Sequence, residues 1–134
     1  MRLEHIRYGR IGRTVLGCIA LPGNQTVLTL EDFEEIIDPG FYHLEPFAGV
    51  KFKDTFALIG ESVSMYPEVG VERSTCVYHG GDTHEDTSGC PLVGVKFHFN
   101  GVTPDIDGGA EAMKILRSVL RTDHTHYVNI VEEF

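Results

Sequence analysis

Leu3 to Leu30 reads LEHIRYGRIGRTVLGCIALPGNQTVLTL, and its punctuation decides the fold class. Two β-rich runs, Leu3 to Tyr8 and Thr14 to Leu21, are separated by Gly9-Arg10-Ile11-Gly12, and Pro22-Gly23-Asn24 then turns the chain into a third, Gln25 to Leu30. The spacing predicts a three-stranded meander. Further out, Glu31 to Ile37 allows a helical turn that Pro39-Gly40 stops, and Phe41 to Leu44, Asp54 to Ile59 and Glu72 to His79 are strand candidates. Val93, Val95, Phe97 and Phe99 alternate with Gly94, Lys96 and His98, the period of one half-buried strand. Asn100 to Gly108 is a connection. Asp107 is placed to cap a helix over Gly109 to Arg121, where Ala112, Met113, Leu116, Val119 and Leu120 recur at helical spacing, and Tyr127 to Val131 makes a last strand. The expected fold is therefore α+β: a β-rich, mostly antiparallel sheet or partly open barrel, with one main helix near the C-terminus.

With 134 residues and no repeat, low-complexity tract or composition shift, the chain is expected to form a single domain over 1–134. Apolar residues at 42% are enough to build a core. The 20 acidic and 11 basic residues give a net charge of -9, which repels phosphate backbones and anionic lipid, so nucleic acid and membrane surface are not expected partners. No apolar stretch approaches the ~20 residues that cross a bilayer. Met1 to His5 lacks the start of a secretory signal, so the chain is expected to remain where it is made. Three cysteines cannot all pair within one chain, and reduced thiols are the default. Cys18 and Cys76 lie in apolar runs and read as small buried hydrophobes, whereas Cys90 follows Ser88-Gly89 and precedes Pro91.

Chemistry is concentrated in one segment. His79-Gly80-Gly81-Asp82-Thr83-His84-Glu85-Asp86-Thr87-Ser88-Gly89-Cys90 holds two imidazoles, three carboxylates and a thiol in a loop too rich in Gly, Asp and Thr for regular structure. A cysteine becomes a nucleophile when an imidazole takes its proton, and His79 before the loop and Cys90 after it can form such a pair. Glycines 80, 81 and 89 would let backbone N–H groups approach a reacting carbonyl. Asp82 and Asp86 are expected to hold the loop by bonds to its backbone. A bare turn with a packed cysteine fits the same residues. A second chemical reading is a zinc site drawn from His79, Asp86, His124 and His126, three such ligands plus water being what a hydrolytic zinc needs. The thiol reading requires no metal or other cofactor. His5, His43 and His98 sit in strand-like runs and read as packed or solvated side chains, and Glu31-Asp32 with Glu34-Glu35 as a solvated acidic face.

The stretch from Cys76 to Asp82, followed by Asp86-Thr87-Ser88-Gly89-Cys90-Pro91-Leu92-Val93-Gly94, resembles a pattern of His-x-Gly-Asn and then Asp-Thr-x-Gly-Cys-x-Leu-x-Gly. That pattern belongs to a family of uncharacterised proteins, a domain of unknown function common in phages and their bacterial hosts. Thr29 to Asp32, Asp38 to Tyr42 and Gly108 to Leu116 resemble its other features in order. The family in turn is similar to L,D-transpeptidases, β-rich cysteine enzymes that make or exchange peptide cross-links in bacterial cell walls. Their signature is His-Gly and, downstream, Ser/Thr-x-Gly-Cys, a hydrophobic residue and Arg. His79-Gly80 and Thr87-Ser88-Gly89-Cys90 match it by position; the arginine is Leu92 here, and the gap between histidine and cysteine is short. The resemblance implies Cys90 as nucleophile, His79 as its base, and Gly80, Gly89, Ser88, Thr87 and Asp86 as residues of the oxyanion site or loop geometry.

Three classes of function follow. The first is an L,D-transpeptidase-like cysteine enzyme acting on peptidoglycan peptides, phage-encoded, made in the host cytoplasm and carried to the wall in the virion or by lysis. The second is a non-enzymatic virion structural or accessory protein with the same fold, whose partners are other virion proteins. The third is a zinc-dependent cell-wall peptidase. A redox reading through Cys90 finds no resolving cysteine near it in the sequence.

Overall fold

The computed structural model describes residues 1–52, 54–66, 73–99, 101–120 and 125–134. The predicted meander is present: β1 (Arg2–Ile11), β2 (Thr14–Leu21) and β3 (Gln25–Asp32) pair antiparallel in sequence. Gly12, at φ 58, makes the tight β1–β2 turn in the left-handed region that a side chain disfavours. β4 (Gly40–Phe47) and β5 (Thr55–Ile59) form a hairpin, and β11 (His126–Glu132) inserts between β4 and β1, parallel to β1. With β8 (Leu92–Gly94) beside β3, the order is β5-β4-β11-β1-β2-β3-β8, a curled and mostly antiparallel half-barrel. This is the expected α+β, β-rich architecture with one main helix.

Side chains that alternate along the strands cover both faces. One face carries Leu3, Ile19, Val27, Leu44, Val128 and Ile130, closed by Ala112, Met113 and Leu116 of α1 (Gly109–Val119) and by Cys76, Tyr78 and Val93. Leu16, Leu30, Leu92 and Ile106 form a smaller cluster. Fully burying each such side chain contributes about 1.5–3 kcal/mol, so the larger cluster dominates stability.

Several elements differ from expectation. Val93 to Phe99 is not one strand: β8 ends at Gly94, Val95 donates its N–H to the Asp107 carbonyl at 2.7 Å, and β9 (Lys96–His98) pairs instead with β10 (Asp105–Asp107), inside the expected connection. Gly94 is the reason, since a Cβ there would run into Ile106 and the Asp107 carbonyl. Between 72 and 79 only β7 (Arg73–Ser74) is a strand, parallel to β6 (Val63–Ser64), after which single bridges join Ala57 to Val77 and His79 to Leu92; Glu72 lies outside the described residues. Of the helical turn allowed over 31–37, a single turn forms after β3 ends at Asp32, closed by the Glu35 N–H on the Asp32 carbonyl at 3.0 Å. The helix cap is Gly108 rather than Asp107, whose carboxylate accepts the Gly108 N–H at 2.8 Å; Arg121 lies outside the described residues.

The largest departure is the acidic run. Glu31 and Asp32 are buried, not solvated, while Glu34 and Glu35 are exposed. Alternation along β3 puts Glu31 on the main core face, where Arg7 meets both its oxygens at 3.0 and 2.9 Å and His5 Nε2 lies 3.1 Å away. His5 and Arg7 are themselves fully buried. Their other contacts are Tyr78 Oη at 3.0 Å and Thr29 Oγ1 at 3.1 Å for His5, and the Ile37 carbonyl at 2.9 Å and Glu132 at 3.1 Å for Arg7. A buried charge survives only when paired and hydrogen-bonded in this way. Burial alone would push the Glu31 carboxyl up, but His5 and Arg7 outweigh it and hold it down at about 2.

Candidate functional site

The loop between His79 and Cys90 is built by its own side chains. Thr83 caps a 3-10 turn over His84–Asp86, and the Asp86 carboxylate accepts the N–H groups of Asp82 at 2.8 Å and Thr83 at 3.0 Å, the structural role expected of it. Thr87 donates its hydroxyl to the Cys90 carbonyl at 2.7 Å and accepts the Gly89 N–H at 3.2 Å. Arg73 reaches the Ser88 carbonyl at 2.6 Å and packs where a Cβ on Gly89 would stand, so only glycine fits beneath it. Asp86, Thr87, Ser88 and Gly89 thus fix loop geometry. The Gly89 N–H, bound to Thr87, is not directed at a reacting group.

The two ends of this loop come together. The His79–Leu92 bridge is parallel, with the Val93 N–H on the His79 carbonyl at 2.8 Å and the His79 N–H on the Pro91 carbonyl at 3.3 Å. That register carries Cys90 alongside residues 76–77. His79 Nδ1 lies 2.8 Å from the Gly80 carbonyl, which can only accept, so Nδ1 carries the hydrogen and Nε2 is left with the lone pair. The imidazole shares a cavity wall with the Cys90 sulfur and favours its ionised form. Gly80 therefore contributes a carbonyl that orients the ring.

Two more groups act on the sulfur. Cys76, fully buried, and the Val77 N–H lie beside it, and both favour its ionised form. The Cys90 thiol is held far below its ordinary value, first by the neighbouring Cys76 and then by His79 and Val77, against the opposing effect of burial. Cys76 shifts the other way, pushed up by the neighbouring Cys90 sulfur and by burial. Thr75, just before this pair, is a β-branched residue at φ 55, held there by its N–H on the Ser64 carbonyl and its hydroxyl on the Met65 carbonyl, and its own carbonyl lies 3.8 Å from Cys90 Sγ. Such a backbone outlier persists only where its surroundings over-determine it.

Cys90 and His79 open onto a cavity of about 430 Å3 lined also by Lys51, Phe52 and residues 85–88. Phe52 stacks on the His79 ring, centroids 4.3 Å apart and planes inclined by 28°, and Lys51 Nζ is 5.3 Å from the Phe52 centroid. The sequence reading missed Lys51 and Phe52. The one available signal was that two of the four lysines of this acidic chain fall at positions 51 and 53. It also missed Cys76 as a partner of Cys90.

The ligands of the zinc reading are occupied or apart from one another. His79 Nδ1 and Asp86 serve the loop backbone, His126 is buried in β11 opposite Leu44, and His124 lies outside the described residues. Among the described residues no group of three or more His, Cys, Asp or Glu side chains is placed to hold a metal ion. Cys18 is half-buried in β2 rather than enclosed as expected. His43 pairs with Glu45 at 3.0 Å, His98 faces Asp107 at 3.6 Å, and His5 is packed in the core. Among the described residues no helix is long and apolar enough to cross a membrane. Comparison with family models, with curated proteins and with solved structures finds no match to this chain.

Proposed function

We propose that the protein is a cysteine acyl-transfer enzyme of the L,D-transpeptidase type, with Cys90 as nucleophile, His79 as its base and a peptidoglycan peptide as substrate. The observation that carries this reading is that the His79 imidazole, oriented by the Gly80 carbonyl, and the Cys90 sulfur line one cavity, with the thiol drawn toward its ionised form. In such a reaction the Cys90 proton passes to His79, the thiolate attacks an amide carbonyl, and the amine leaves with the proton from His79. An acceptor amine, or water, then attacks the thioester and returns the sulfur to the thiolate. Phe52 stacks on the imidazole and restrains its plane, which limits the reorientation that proton transfer requires. The peptidoglycan substrate rests on the motif resemblance alone. Incubation with purified wall peptides, followed by mass spectrometry, is expected to show cross-linked or exchanged products that disappear in Cys90→Ala with the fold intact. If the folded wild-type protein leaves those peptides unchanged, that substrate is excluded.

A further inference from the structure

We propose that Cys90 and Cys76 form a hydroperoxide-reactive dithiol in which Cys90 is oxidised first and Cys76 resolves it to an intramolecular disulfide. The proposal requires an accessible Cys90 sulfur and not acyl transfer, so it stands or fails separately from the function proposed above.

Position divides the roles. Cys90 lines the cavity, where a small hydroperoxide can reach it, whereas Cys76 is fully buried directly behind and touches solvent nowhere. Cys90 packs against the core cluster that holds Cys76, and its Sγ lies 3.8 Å from the carbonyl of Thr75, the residue before Cys76, so a bond between the two sulfurs calls for side-chain rotation and no rearrangement of strands. Cys18, in β2 beside Tyr8, has no part in the pair and serves as an internal control.

The chemistry balances with a hydroperoxide as the only oxidant. The Cys90 thiolate attacks the terminal peroxide oxygen; an S–O bond forms, the O–O bond breaks and the alkoxide leaves as alcohol after taking a proton, which His79 can supply. The Cys76 thiol then loses its proton and attacks the Cys90 sulfur; the S–S bond forms, the S–O bond breaks and water leaves. Two thiols have lost two electrons to one peroxide. Local electrostatics order these steps. While Cys90 is anionic its charge keeps the Cys76 thiol protonated. Once Cys90 is an uncharged sulfenic acid, that restraint is gone, and the nearby Arg73 charge, which favours a Cys76 thiolate, faces no opposition from Cys90. The disulfide holds the nucleophile in a form that a thiol reductant restores, short of irreversible sulfinic acid.

The experiment treats the reduced full-length protein with one equivalent of hydrogen peroxide, alkylates the remaining thiols and maps the peptides by mass spectrometry. The expected product has lost two hydrogens, joins the Cys76 and Cys90 peptides within one chain, leaves Cys18 alkylated and reverts with dithiothreitol. In Cys76→Ser given an excess of hydrogen peroxide, Cys90 is expected instead to take one oxygen from each of two peroxides and become sulfinic acid. A wild-type protein whose Cys90 passes to sulfinic acid without cross-linking, whose cross-link involves Cys18 or a second chain, or whose cysteines do not react would overturn the proposal. Because the wild-type result decides alone, a Cys76→Ser variant that fails to fold leaves it readable.

Discussion

Glu31 shows how one residue can be misjudged from its neighbours in sequence and settled by its neighbours in space. It stands in the run Glu31-Asp32-Phe33-Glu34-Glu35, which has the composition of a solvated face, but the period of β3 turns its side chain toward β1. There Arg7 meets it with two hydrogen bonds and His5 with a third contact. Removing one partner of such a buried pair leaves the other charge uncompensated, so Glu31→Gln is expected to lower stability by about 3–5 kcal/mol in denaturant unfolding near neutral pH. The pH dependence has a definite sign. A carboxyl whose folded value lies at about 2, below its ordinary 4.5, contributes its full stabilisation above pH 4.5 and loses it as pH falls toward 2. The wild-type advantage over Glu31→Gln should therefore narrow across that interval; an advantage that stays constant would mean that the carboxylate charge is not what holds the core. Nothing in the local pattern could have disclosed this pair, because Arg7 and Glu31 meet only through strand pairing across 24 positions.

Among the elements, those framed by their own turn residues were legible and those set by distant contacts were not. The β1–β2–β3 meander follows from Gly12 and Pro22-Gly23 because such turns are closed by local backbone geometry. The break between β8 and β9 is invisible in the alternation of Val93, Val95, Phe97 and Phe99. It arises where Gly94 lets β10 approach and Val95 leaves the β8 ladder. The same crossing fixes the start of α1: Gly108 caps it at φ 83, with Val95 occupying the space of a Cβ. Gly108→Ala is expected to cost about 1–3 kcal/mol through backbone strain and overpacking together, read as a lower denaturant midpoint with an unchanged slope. An unaltered midpoint would show that the cap relaxes freely. Strand position also predicts an order of hydrogen exchange: amides of β11 and β1, with paired neighbours on both sides, should exchange later than those of β5 and β8 at the ends of the main sheet. Exchange fastest in β11 would contradict that order.

On the scale of the whole molecule, the half-barrel supplies a rigid edge on which the loop from His79 to Cys90 closes. That His79 and Cys90 reach one cavity was legible because both flank one Gly-rich loop, and the bridge from His79 to Leu92 brings the two ends of that loop together. Cys76, Phe52 and Lys51 reach the same place from other segments, which no spacing in the sequence announces. What they add is a reason for Cys90 to differ chemically from the other cysteines: its thiol is held down by its neighbours Cys76, His79 and Val77, whereas burial raises that of Cys18 and the adjoining sulfur with burial raises that of Cys76. The most direct test is competitive alkylation with limiting iodoacetamide between about pH 6 and pH 8, with the three cysteines quantified separately by peptide mapping. The structure predicts that Cys90 reacts first, at a rate that barely changes across this range, that Cys18 and Cys76 lag, with any Cys18 reaction rising with pH, and that His79→Ala slows Cys90 alone. A Cys90 that reacts no faster than Cys76, or one indifferent to His79→Ala, would contradict the assignment of this pair as the protein's reactive centre.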